Sequence, residues 1–126
     1  MTDVSPGASV EDFANGLDPY MRRILGAAED PIGVVGEVMG QLIEPPYIEQ
    51  LRGVGELYGV WGELSDIVDG YPVDYGPDAE TIAVRESRQA AQDWLDMPHT
   101  TAGLQEYIEQ WLDRLRSMPE RYRANG

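Results

Sequence analysis

The chain has no cysteine and no lysine, and only one histidine and one phenylalanine. Without cysteine there is no disulfide framework, no thiol nucleophile and no thiolate metal site. Without lysine there is no phosphate-binding loop of the Walker type. The single histidine, His99, cannot make a metal site alone. It stands beside Pro98 in a break between helices and reads as a surface residue at a helix boundary. A Ser–His–Asp triad would need one of the five serines in a nucleophile elbow, and none has that context. No run approaches the ~20 apolar residues that span a bilayer. The N-terminus lacks a basic start followed by an apolar run, so no secretory signal is expected and a cytoplasmic or virion location is the default.

All nine basic residues are arginine, which suits a GC-rich genome, and they are set against 23 acids for a net charge of −14. Such a chain should repel nucleic acid and anionic membranes, so no direct binding of either is expected. The charge is uneven. Residues 1–80 hold sixteen acids against three arginines, whereas residues 114–126 hold one acid against four arginines. Asp66, Asp69, Asp74 and Asp78 crowd around one loop, but not at the alternating spacing of a calcium-binding EF-hand. They read as helix caps and turn formers. No metal, cofactor or catalytic residue is assigned. Paired carboxylates are too common in so acidic a chain to mark an active site.

The apolar residues recur at helical spacing. Ser9 caps a short helix that Gly16 can end. Asp18-Pro19 starts another, to about Glu29. Asp30-Pro31 repeats that start signal for a helix over Ile32–Ile43, stopped by Pro45 and Pro46. From Pro46 to Asp69, Val54, Leu57, Trp61, Leu64 and Val68 form a stripe, and a second apolar arc makes this the expected central helix. Seven glycines lie in this hairpin: Gly33, Gly36, Gly40, Gly53, Gly55, Gly59 and Gly62. At roughly 0.5–1 kcal/mol each they cost about 3–7 kcal/mol in helices, so close backbone approach at Gly55, Gly59 and Gly62 is expected to offset them. After a turn-rich loop, a helix over Asp78–Met97 shows a small-residue face of Ala79, Ala83, Ser87, Ala90, Ala91 and Trp94. The last helix, Ala102–Met118, carries Leu104, Tyr107, Ile108, Trp111, Leu112, Leu115 and Met118 on one arc, and Pro119 should stop it.

The expected fold is therefore an all-α single domain over 1–126, with loose ends at 1–8 and 119–126. It is a compact bundle of four main helices plus a short N-terminal one, organised around the glycine-rich helix 46–69. The expected function is a non-enzymatic protein-interaction module, through a protein partner or self-association. A small assembly or adaptor component, for instance of a phage particle, would fit. Two charged features could serve it. Glu49, Glu56 and Glu63 recur every seventh residue, and Arg114, Arg116, Arg121 and Arg123 form a basic end. The glutamate stripe also allows an acidic inhibitor that mimics DNA toward a basic protein. A small carboxylate-based enzyme is the third reading.

Overall fold

Helix starts follow local chemistry. In the computed structural model, which describes residues 9–26, 28–49, 51–70 and 73–124, Ser9 accepts the Asp12 N–H at 3.0 Å and opens α1, Val10–Leu25. Asp30 accepts the Ile32 N–H at 3.1 Å and opens α2, Pro31–Leu42. Pro31 takes the first turn, where a missing N–H leaves nothing unpaired. Then come α3, a single turn at Pro45–Ile48, and α4, Val54–Asp66, which tightens into a 3-10 turn at Ile67–Asp69. A second 3-10 turn at Gly76–Asp78 leads into α5, Ala79–Asp96. Thr100 accepts the Gly103 N–H at 3.0 Å at the start of α6, Thr101–Ala124. Strands are absent among the described residues, and no helix there is long and apolar enough to cross a membrane. The expected loose end at 1–8 lies outside the described residues.

The range 46–69 is not one helix. Gly53 lies in the left-handed region at φ 94° and turns the chain between α3 and α4. A residue with Cβ is strained there, so this glycine sets the break. At the other end Gly70, at φ 78°, closes the 3-10 turn. What remains, α4, buries Val54, Leu57, Val60, Trp61 and Leu64. At 100° per residue these cover roughly a third of the circumference. The helix in contact with α1, α2, α4 and α6 alike is α5. Its Ala83, Ser87, Ala90 and Ala91 are fully buried. Side chains this short let neighbouring backbones come close, so α5 takes the organising place expected of 46–69.

The glycines do not mediate the expected close crossing. A Cβ at Gly33, Gly36, Gly40, Gly55 or Gly59 would meet nothing within 4 Å, and all five positions are exposed. At Gly62 it would touch only the Met39 side chain, at 3.4 Å. These glycines face away from the core. The glycines that do permit a close approach are Gly103, where a Cβ would overlap the Pro98 carbonyl oxygen, and Gly53, where it would stand 2.9 Å from Ile108 Cδ1.

Two prolines fail to stop their helices. The short N-terminal helix and the one expected after Asp18 are a single α1, running through Gly16 and Pro19. Phe13, Ala14, Leu17, Met21 and Ile24 stay on one buried face across the proline. Burial of Met21 and Ile24, at roughly 1.5–3 kcal/mol each, outweighs the ~3 kcal/mol cost of the proline. α6 likewise continues past Pro119 to Ala124. Tyr122 holds that extension: its hydroxyl donates to Glu86 at 2.6 Å, and its ring meets Tyr75 edge-on at 5.8 Å between centroids.

Because their Cβ positions point into open space, Gly36→Ala and Gly40→Ala should each raise stability by about 0.5–1 kcal/mol. Gly103→Ala should lower it. Urea denaturation midpoints report both. A lowered midpoint for the α2 variants would mean that a neighbour packs there after all.

Candidate partner-binding groove

α6 carries two adjacent stripes, and each meets a different helix. The first faces α5. Tyr107 donates its hydroxyl to the Ala90 carbonyl at 2.9 Å, and Trp111 Nε1 donates to Asp93 Oδ2 at 3.1 Å. Arg114 donates Nε and Nη2 to the two oxygens of Glu86, at 2.6 and 3.1 Å. Its guanidinium lies 5.0 Å from the Trp111 ring centre, in cation–π range. The Glu86 side chain is 1 % exposed. Burial alone would push its carboxyl up. The Arg114 and Tyr122 hydrogen bonds prevail and hold it below its ordinary value.

The second stripe packs on α4 and buries Leu104, Ile108 and Leu115. A hollow of about 460 Å³ lies between Val10, Leu51 and Gly53 on one side and Leu104, Ile108 and Leu112 on the other. Leu112 also walls a second hollow of about 500 Å³, with Gly59, Glu63, Leu115, Arg116 and Pro119. From the turn at Gly53 the lining residues run along α4 through Glu56, Gly59 and Glu63; on α6 they run Leu104, Ile108, Leu112, Leu115, Pro119. Steps of three and four follow one helix edge, so the two hollows, which meet at Leu112, lie end to end in a groove along the α4–α6 seam. The stretch of α6 beside it, from Thr101 to Pro119, is ~27 Å long at 1.5 Å per residue. The floor is apolar. Glu56, Glu63 and Glu109 line its sides, with Arg52 toward one end and Arg116 toward the other.

Glu63 is the unusual member. It is half-buried, and that desolvation, followed by the neighbouring Asp66 charge, pushes its carboxyl above the ordinary value. Among the described residues the ion pairs are made by Arg23, His99, Arg114 and Arg116, none of them with Glu63.

The structure separates the charged residues singled out from sequence. Glu56 and Glu63 line the groove, but Glu49 ends α3, exposed and off the α4 face. The three do not share a rod. Arg114 is engaged with Glu86. Arg116 is exposed, pairs with Asp113 at 3.3 Å and borders the second hollow. Arg121 is exposed, and the Arg123 side chain lies outside the described residues. Sequence reasoning missed Glu86, although a carboxylate between Ala83 and Ala90 at the phase of the small-residue face was the signal. It also merged the groove leucines with the α5-facing residues in one arc.

His99 is not the surface residue expected. Its side chain is 17 % exposed, with Nδ1 2.7 Å from Asn15 Oδ1 and Nε2 3.5 Å from Asp18 Oδ1. It ties the α5–α6 connection to α1. Asp74 accepts the Gly76 N–H at 2.8 Å and shapes its own turn. Among the described residues no three His, Cys, Asp or Glu side chains stand together as a metal would require. No protein-family model matches the chain, and neither a curated protein nor a solved structure shows significant similarity to it.

Arg114→Met would leave Glu86 buried and unpaired. The expected loss is about 2–3 kcal/mol, below the usual ~3–5 because Arg114 keeps 29 % of its side chain exposed. Tyr122→Phe should cost about 1 kcal/mol. Since the folded Glu86 carboxyl is held low, the stability it contributes is present above the unfolded glutamate pKa of about 4.3 and is lost as pH falls through the folded one. Glu86→Gln should lack that loss in acid denaturation.

Glu63 runs the other way. Its raised carboxyl favours folding only while protonated, and that contribution disappears as pH rises through the folded pKa. Glu63→Gln should therefore be more stable than the parent chain at neutral pH and equal to it well below pH ~4.3. A gap that does not close on acidification would show that ionisation is not its cause.

Proposed function

We propose that this protein is a helical protein-interaction module, an assembly or adaptor component, which holds a partner protein in the groove between α4 and α6. The groove itself carries the reading. Leu51, Leu104, Ile108 and Leu112 line an apolar hollow of about 460 Å³ under acidic sides, and no side chain among the described residues fills it. Grooves between helices are a recurring seat for partner helices. The buried polar groups most apt for chemistry lie away from the groove: Glu86 bonds Arg114 and Tyr122, and His99 bonds Asn15 through Nδ1 while its Nε2 has no hydrogen-bond partner among the described residues. A non-enzymatic role is the reading this favours. The DNA-mimic alternative is not carried forward, because the turn at Gly53 takes Glu49 off the line of Glu56 and Glu63.

The test is site-directed photo-crosslinking in the source cells. A crosslinker placed at Gln105, in the groove wall, should capture one discrete partner. The same group at exposed Glu80, on α5, should not. Capture of the same species from both faces, or from neither, would overturn the reading.

A further inference from the structure

We infer, resting on the groove reading above, that the occupant of the α4–α6 groove is an amphipathic helix with a basic polar flank, its apolar stripe in the trough and its Arg or Lys side chains against Glu56, Glu63 and Glu109. Three features of the groove select that partner. The first is shape. Both walls are helices whose backbone groups are bonded internally, so an extended peptide would find no ladder of partners. A helix satisfies its own backbone and needs only side-chain contact. The ~27 Å trough would hold about 18 helical residues. Gly59 thins the α4 wall, where a Cβ would meet nothing.

The second feature is charge. The three glutamates line the trough along its sides, and the two arginines stand toward its ends. An acidic peptide would meet them unfavourably. So would a second copy of this chain, which brings −14 of its own. The third is Glu63, desolvated without an arginine partner among the described residues. A cation from the occupant would find there a carboxylate already stripped of part of its water, where an ion pair is stronger than on an open surface.

The full chain should be titrated with three labelled synthetic peptides, each of about 18 residues, followed by fluorescence anisotropy at low salt. One carries leucines at helical spacing with Arg and Lys between them. The second keeps the leucines and replaces the basic residues with Glu. The third has the composition of the first in scrambled order. The first should bind at least tenfold more tightly than the others. Combined Glu56→Gln, Glu63→Gln and Glu109→Gln should weaken it about tenfold and flatten its salt dependence. The same charge change at exposed Glu11, Glu80 and Asp96 should leave it unaltered.

Equal binding of the scrambled peptide would reduce the effect to net charge and overturn the proposal. So would equal binding of the acidic peptide, an equal effect of the control substitutions, or sedimentation showing that a second copy fills the groove. If no peptide binds while Gln105 still captures a partner, the basic-helix assignment falls and the interaction-module reading stands. If both experiments fail, both fall.

Discussion

Five helices meet in this protein because one of them carries mostly short side chains on its inner face. Ala83, Ser87, Ala90 and Ala91 are fully buried, and α1, α2, α4 and α6 all reach α5. The bulk missing from that face comes from around it. Trp94, at the end of the same face, meets Phe13 at 6.1 Å and Tyr107 at 5.2 Å, both edge-to-face. Its indole N–H donates to the Ala14 carbonyl at 3.2 Å. Large rings with a polar handle thus fix the positions of α1 and α6 against a narrow helix, which dispersion alone would leave free to slide.

The same inner face carries one buried carboxylate, Glu86, and that decides where α6 lies. A buried charge must be paired or it costs several kcal/mol. Arg114 and Tyr122 supply the pairing from two successive places on α6. With Tyr107 and Trp111 on the same stripe, α6 is held to α5 along its length. Its neighbouring stripe packs on α4, where Leu104, Ile108 and Leu115 are buried, and the hollows lie along that seam.

Much of this could be read from the sequence where the cause is local. The caps at Ser9 and Asp30 depend on bonds made within three residues. The small-residue face of α5 shows in its spacing. What could not be read depends on tertiary placement. Gly16 and Pro119 carry ordinary stop signals and Asp18-Pro19 an ordinary start, overridden by Met21, Ile24 and Tyr122 finding partners far along the chain. The glycines of α2 and α4 recur at helical spacing whether the face they make is crossed by another helix or bare, and periodicity does not distinguish these. Gly53 and Gly70, at the two ends of α4 and its 3-10 turn, have roles fixed by the backbone, and their φ is invisible without coordinates. The wide apolar arc of α6 has the same ambiguity, since it does not say which half is covered.

The α4–α6 seam raises the question of why its apolar hollows can stay open in water. Net charge supplies part of the answer. Two copies approach with −14 each, and their repulsion opposes trough-to-trough pairing. At physiological salt the Debye length is about 8 Å, so the charges that matter in the last step of docking are those beside the trough. There the chain keeps features that packing alone does not explain. Glu63 sits partly desolvated beside Asp66, and Gly59 leaves a helix wall bare. Each lowers the stability of the free protein and improves no internal contact. Bare glycines alone do not single out this seam, since Gly33, Gly36 and Gly40 are equally bare on α2; a desolvated carboxylate beside the apolar hollows does.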